Sequence, residues 1–418
     1  MVSLRWWGAI LKSSDRAKNL LSAAAVRTRT RRLYDLGVAG KLEHFVLHLD
    51  RLPALAARVA TVTRAAYPDL KVPFHARWRH FVHAGEDRWA RLAAETRWPS
   101  PAERARAAFD LAIVSVLLDA GAGPTWRYRD PATGVAVGRS EGLALASFDM
   151  FAAGAFSANP NEPLRADAKR LAAFTSADIA KGFQVGPENP LEGLEGRAGL
   201  INALGQVLLA STLRDADGAP RPGALFDLLI AAHPRAVPAA AILEAVLAHL
   251  GPIWPSRLSL GSVPLGDCWR YPALQDGTEG SDLVPFHKLS QWLSYSLIEP
   301  IVAAGLSVEG IDALTGLAEY RNGGLFLDGG VIMPKDAALL AGEYRPESTV
   351  IIEWRALTVA LLDEIAPLVR NVLGVSVVDF PLAKVLEGGT WATGRQLARE
   401  ARADGGPPLR IVSDGTVF

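Results

Sequence analysis

Ala107-Ala-Phe-Asp-Leu-Ala-Ile-Val-Ser-Val-Leu-Leu-Asp119, with Ala120-Gly-Ala-Gly-Pro124 behind it, decides the fold class. The run is nearly all apolar and stops at glycines followed by a proline, the pattern of a buried helix with a glycine stop. Helix signals of this kind dominate the chain. Pro222 to Leu250 reads as two more helices, split near His233-Pro-Arg-Ala-Val-Pro238, and Leu283 to Ala304 and Thr358 to Leu373 also read as helices. Strand candidates are short: Thr349-Val-Ile-Ile352, Gly374-Val-Ser-Val-Val-Asp379 and Leu409-Arg-Ile-Val-Ser413. The most linker-like stretches, Ala216 to Pro222 and Ala403 to Pro408, are no longer than ordinary loops, and there is no internal repeat. The expected architecture is mainly α. An N-terminal helical layer covers about residues 15–100, a helical core 101–386, and a C-terminal segment, 387–418, packs on the core in one continuous unit.

Composition narrows the function classes. Half of the 418 residues are hydrophobic, enough for a substantial core, and Lys+Arg balances Asp+Glu at 44 each. A neutral chain has no global field for a polyanion, so nucleic acid is not the expected partner. The best basic patch, Arg27-Thr-Arg29-Thr-Arg31-Arg32, reads as the solvated face of a helix. A single cysteine, Cys268, excludes an intramolecular disulfide framework and cysteine-rich zinc sites. Met1-Val-Ser-Leu-Arg-Trp-Trp-Gly-Ala-Ile-Leu-Lys12 holds too short an apolar run for a signal peptide. No stretch reaches the roughly 18 uninterrupted apolar residues that span a bilayer. The expectation is a soluble, cytoplasmic protein with no membrane partner.

Two stretches concentrate ionisable groups in apolar helical sequence: Ser281-Asp-Leu-Val-Pro-Phe-His287-Lys288-Leu-Ser-Gln291 and Glu319-Tyr320-Arg321-Asn322-Gly-Gly-Leu-Phe-Leu-Asp328-Gly-Gly330. Charge in apolar surroundings usually has a partner or a task. About 30 residues separate His287 from Glu319, enough for one helix out and one back, so both stretches can face one pocket. Glu319, Tyr320 and Arg321 put an acid, a phenol and a guanidinium side by side. They are either a site or a surface ion pair beside a core tyrosine. His287 and Lys288 follow Pro285-Phe286, where a helix would begin, and a helix N-terminus with a lysine suits a phosphate. Gln291 lies one turn beyond His287 on the same face. Asp282 is a candidate acid or a helix N-cap. The glycines around Asp328 permit close backbone approach or tight turns, and Asp328 itself reads as a turn cap.

Elsewhere the signals are weaker. His75-Ala-Arg77-Trp78-Arg79-His80-Phe-Val-His83 is the densest histidine cluster, with His80 and His83 on one expected helical face. No acidic ligand follows at a diagnostic spacing, so no metal site is assigned there. Arg77 in this cluster could bind an anion or dock the N-terminal layer. Asp149 is an isolated acid on an apolar helix, Glu141 to Asp149, and a second-rank site candidate. There is no P-loop, dinucleotide fingerprint, Gly-x-Ser-x-Gly elbow or His-x-x-Glu-His, and no cofactor is expected.

Tyr67 to Phe81, Leu283 to Leu293, Leu314 to Gly330 and Ser413-Asp-Gly-Thr-Val-Phe418 together resemble the uracil-catabolism protein 4 family, long catalogued as a domain of unknown function. The likeness covers nearly all of the chain after about residue 20. Residues from about 106 to 386 are also similar in pattern to the queuosine-salvage nucleotide N-glycosidases, whose helical architecture is shared with helix-hairpin-helix DNA glycosylases. Phe286-His-Lys288-Leu-Ser-Gln291 lies where that family has an aromatic residue, Lys and Gln, and Glu319-Tyr320-Arg321 where it has Asp-Tyr-Arg. Trp126 falls where it carries a tryptophan after a buried helix. Pro190-Leu-Glu192 is similar to its Pro-Leu-x-Glu stretch, and Glu353 through Leu357 to its late Glu-x-Arg-Ala segment. Two departures stand out: Glu replaces Asp at 319, and an acid expected later in the Lys-Gln helix is Ser296 here.

The resemblance implies a helical, glycosylase-like core and a substrate. In the uracil pathway tied to this family a nucleotide's pyrimidine ring is opened to a ribosylurea, and urea is liberated later. The implied activity is hydrolysis of the N-glycosidic bond of a ribosylurea 5′-phosphate. Glu319 would activate water or stabilise the cation, with Asp282 in reserve. His287 or Tyr320 would assist the leaving group, and Lys288 and Arg321 would hold the phosphate. Gln291, Trp126, Asp149, Glu353 and Arg77 complete the expected substrate contacts. The implied partners are a phosphorylated riboside and other enzymes of uracil catabolism. Two other readings remain open: an amidohydrolase acting on the ureido group, and a non-catalytic binding partner of the ring-opening enzyme.

Overall fold

The computed structural model describes residues 13–119, 121–254 and 258–412. It is mainly α, with short strands joined in two-stranded pairs among the described residues. In chain order the principal helices are α1 (Ala23–Val38), α2 (Leu52–Ala66), α3 (Pro101–Leu117), α4 (Arg139–Ala152), α5 (Leu194–Ala210), α6 (Ala224–Ala232), α7 (Ala239–Leu250), α8 (Lys288–Ala303), α9 (Tyr320–Asp328), α10 (Thr349–Leu373) and α11 (Trp391–Ala401). Four strands matter below: β1 (Phe45–Leu47), β2 (Cys268–Arg270), β3 (Leu283–Pro285) and β4 (Ile332–Pro334). β1 pairs antiparallel with β4, and β2 with β3.

The chain forms two compact units. Among the described residues, the first comprises 13–75, 258–291 and 310–412; the second comprises 76–119, 121–254 and 292–309. Each draws on both the 15–100 and the 101–386 blocks of sequence, and the division falls inside α8.

In the second unit α3 is the buried helix that the opening stretch predicts. Ser100 caps it by accepting a bond from the Glu103 amide, Pro101 occupies its first turn, and every residue from Ala105 to Leu117 is buried. Its one buried acid, Asp110, accepts from the Arg221 guanidinium and from the Ala166 and Gly223 amides. α6 and α7 split at residues 233–238 as expected.

The first unit is built on α10, buried along most of its length, against which α1 and α2 pack. The arginines of α1 are more than a solvated face. Arg27 donates to Asp363 and to the carbonyls of Asp312, Ala313 and Leu314, while Arg29 and Arg32 donate to the Ser281 carbonyl.

Several elements differ from the sequence reading. Thr349–Ile352 is the first turn of α10, not a strand, because burial of Val350, Ile351 and Ile352 overrides their β-branched preference. Leu283–Pro285 is strand β3, and the helix begins only at Lys288. Pro285 disfavours helix for the residue before it, and His287 adopts a left-handed φ of 48°. Residues 374–379 are turns after the left-handed Gly374 that ends α10, with Val378 85% exposed. Arg410–Ile411 forms a two-residue strand with Glu343–Tyr344. A 3₁₀ turn, Arg77–Phe81, stops before His83, so His80 and His83 share no helical face. The Met1–Lys12 and Ser413–Phe418 stretches lie outside the described residues.

Candidate active site

At the start of α8 the chain is clamped by Asp267 and Arg355. Asp267 Oδ1 accepts from Arg355 Nη1 at 2.8 Å and from the Trp269 indole at 2.7 Å. Oδ2 accepts from Arg355 Nη2 at 2.8 Å and from the Lys288 amide at 3.1 Å. Burial opposes ionisation of Asp267, but the Arg355 guanidinium and these bonds win and hold it well below the usual carboxylate range. Arg355 also stacks 4.1 Å from the Phe286 ring and donates through Nε to Ala318 O, so α10 ties the head of α8 to the approach of α9.

His287, buried at this point, donates Nε2–H to Leu20 O at 2.9 Å, since a carbonyl can only accept. Burial lowers its pKa. Gln291 is fully buried: Nε2 donates to the Thr315 hydroxyl, and Oε1 accepts from the Thr315 amide.

Glu319 is the N-cap of α9. Its carboxylate accepts from the Arg321 amide at 2.8 Å and the Asn322 amide at 2.6 Å. Burial raises its pKa; the two amides and the charges of Lys288 and His75 work against that rise without cancelling it. The Arg321 guanidinium lies 4.8 Å from the Tyr320 ring centre and donates to Gly405 O. Glycines let helices close around this cap. A Cβ at Gly323 would sit 2.7 Å from the Trp354 ring, and one at Gly394 would sit 2.2 Å from Arg321 O.

His75 comes to the same region. Its Nδ1 bonds Glu387 at 2.7 Å, and Glu387 sits on a π-helical turn, Leu386–Thr390, between a short helix and α11. Such turns carry one extra residue in the helical ladder and recur at functional sites. Gly388 and Gly389 allow this turn to press on Val59 and Thr63 of α2.

The remaining candidates are held otherwise. Asp282 pairs with Arg270 at 2.6 Å and does not cap α8, which starts at Lys288. Glu353 accepts from the Glu43 and His44 amides and the Tyr271 hydroxyl, so it anchors the 43–44 turn. Glu43, His44 and Glu353 are also near enough to share an ion, but both Glu353 oxygens are already engaged. Cys268 is buried, and burial pushes its thiol well above the usual range, unlike a nucleophilic thiolate. Asp328, at the far end of α9, is held by both nitrogens of a two-pronged Arg402 bridge beside a cavity of about 410 Å³.

Three expected substrate contacts belong to the second unit. Arg77 is fully buried and donates to Ser115, Asp119 and the Ser140 carbonyl. The Trp126 indole donates to Phe183 O, and Asp149 accepts from Arg88 and the Tyr128 hydroxyl. Ser296 accepts from the Arg77 amide and donates to Trp292 O. The first unit thus gathers Glu319, Tyr320, Arg321, His287, Lys288 and Gln291, with Asp282 and Glu353 in supporting ion pairs and turns. His75, Glu387, Asp267 and Arg355 are not among the site candidates of the sequence. His75 lies in the histidine cluster and Arg355 in the Glu-x-Arg-Ala segment, while the Gly388-Gly389 pair is the one mark of an irregular helix.

Comparison with known proteins places this geometry in a family. The model described as Protein of unknown function (DUF1688) matches residues 19–418. Protein urg3 of Schizosaccharomyces pombe is 37% identical over 413 residues, covering 97% of this chain and 100% of the relative. Uracil catabolism protein 4 of Lachancea kluyveri is 35% identical over 439 residues, covering 95% of this chain and 98% of the relative.

Proposed function

The chain belongs to the DUF1688 family, and from that premise we propose that it is a hydrolase of uracil catabolism that cleaves the N-glycosidic bond of a ribosylurea 5′-phosphate to urea and ribose 5-phosphate. The name of the Lachancea kluyveri relative supports the pathway. The observation that carries the reaction is Glu319, a buried carboxylate fixed by two backbone amides, with its pKa raised by burial.

An N-glycosidic bond breaks through an oxocarbenium-like transition state, which a fixed carboxylate stabilises electrostatically. A raised pKa also makes that carboxylate a better base toward water at neutral pH. In this reading Glu319 takes the proton of the water that adds to C1′. Lys288, at the head of α8, and Arg321, lying over Tyr320, receive the 5′-phosphate. The Tyr320 hydroxyl borders the sugar. His287 and Gln291 act as positioning residues, since their side chains are committed to Leu20 and Thr315. The buried, protonated Cys268 weighs against a cysteine amidohydrolase.

The test is turnover of purified protein on ribosylurea 5′-phosphate, with urea and ribose 5-phosphate read separately. Wild type should release both in equal amounts. Glu319→Gln should lose about 100-fold or more in kcat while still binding ribose 5-phosphate. Urea without ribose 5-phosphate, or an unimpaired Glu319→Gln, would overturn the reading.

A further inference from the structure

Where α9 meets α11, three side chains are fully buried yet carry polar atoms without a hydrogen-bond partner among the described residues. They are Asn322, through both Oδ1 and Nδ2, and Thr390 and Thr393, through their hydroxyls. Thr390 leads directly into α11, and Thr393 sits in its first turn. Asn322 follows Arg321, whose carbonyl lies against Gly394 at the helix crossing. Buried polar groups are nearly always paired, and leaving one unpaired is costly. Such groups on both sides of one helix crossing mark a place built to hydrogen-bond a polar molecule.

The same region holds a histidine with a fixed orientation. Because Glu387 can only accept when ionised, His75 Nδ1 carries the proton in their 2.7 Å bond, leaving Nε2 as the ring nitrogen available to a ligand. The other Glu387 oxygen faces the Tyr67 hydroxyl at 3.5 Å, and the Trp391 ring stands 6.4 Å from the imidazole. His75 is near enough to Glu319 for its charge to act on that carboxylate, as does that of Lys288.

We propose that His75 is the general acid of the reaction and Glu387 its positioning residue, with the ribose lying over the α9–α11 crossing among Asn322, Thr390 and Thr393. The proposal rests on the glycosidase reading and supplies what that reading lacks. Urea leaves poorly unless its nitrogen is protonated. As the C1′–N bond breaks, its electron pair goes to the ureido nitrogen, which takes the Nε2 proton of the His75 imidazolium, while the Nδ1 proton stays in its bond to Glu387. Water adds to C1′ and gives a proton to Glu319. That proton returns to His75 through solvent, so atoms and charge balance without another reactant.

Leaving-group dependence tests it in the full chain. Wild type, His75→Gln and Glu387→Gln are each given ribosylurea 5′-phosphate and 4-nitrophenyl ribofuranoside 5-phosphate, whose nitrophenolate leaves without a proton. His75→Gln should lose about 100-fold in kcat on the ureido substrate and stay within a few-fold of wild type on the nitrophenyl one. Glu387→Gln should show the same pattern with a smaller loss, and it serves alone if His75→Gln fails to fold. Equal losses on both substrates, or no loss on the ureido substrate, would overturn the assignment of His75 while leaving the glycosidase reading intact. A wild type inert toward both substrates would refute the glycosidase reading, and the proposal with it.

Discussion

Glu319 is pulled two ways: burial favours its neutral form, while two amides and two nearby cations favour the ion. Burial wins, and stability should record it. Between the ordinary value of 4.5 and its raised folded value, the folded chain keeps a proton on Glu319 that the unfolded chain has lost. Stability therefore falls as pH rises through that window, by at most about 1.4 kcal/mol per pH unit. Glu319→Gln lacks this slope. Urea denaturation at stepped pH should show wild type losing stability relative to the variant as pH rises; a constant difference would mean that Glu319 titrates normally. At this scale the sequence pointed to ionisable groups that the fold buries, Glu319, Arg321 and His287 among them. It was uninformative about partners. Nothing near Asp282 in the sequence announces its ion pair with Arg270, and nothing near Glu353 announces the 43–44 turn that it holds.

Close helix packing governs the elements around the site, and glycines set its limits. At Gly389 an added Cβ would lie 2.5 Å from the Thr63 hydroxyl and 2.8 Å from the Val59 carbonyl, backbone that cannot yield easily. Gly196, exposed in α5, has nothing within 4 Å. Gly389→Ala should cost about 1–3 kcal/mol by overpacking. Gly196→Ala should gain about 0.5–1 kcal/mol by stiffening a helix. Chemical denaturation of the two variants checks both signs. Buried helices such as α3 were legible because an apolar run bounded by a cap and glycines has few alternatives. Local preference misled where tertiary burial decided: Thr349–Ile352 looked like a strand and folds as helix, whereas Leu283–Pro285 looked helical and pairs with β2. The π-helical turn has no sequence period of its own, so only the Gly388-Gly389 pair hinted at it.

For the whole molecule, no helix among the described residues is long and apolar enough to cross a membrane. The one mixed acid–histidine group close enough to share an ion there, Glu43, His44 and Glu353, has both Glu353 oxygens bound to protein donors. Turnover should therefore survive exhaustive dialysis against EDTA; activity lost and then restored by zinc would instead favour an amidohydrolase. The second unit is drawn mostly from the block 76–254, but the first is assembled from three separated segments. His75 meets Glu387 across 312 residues of chain. At ribosomal speeds of roughly 5–20 residues per second, the imidazole emerges roughly 15–60 s before its carboxylate exists. During that interval the nascent chain can close much of the second unit, while Asn322 still lacks the neighbours that α11 supplies. The proposed site is therefore completed late in synthesis, and a ribosome that stalls before Glu387 would leave a largely folded second unit without it.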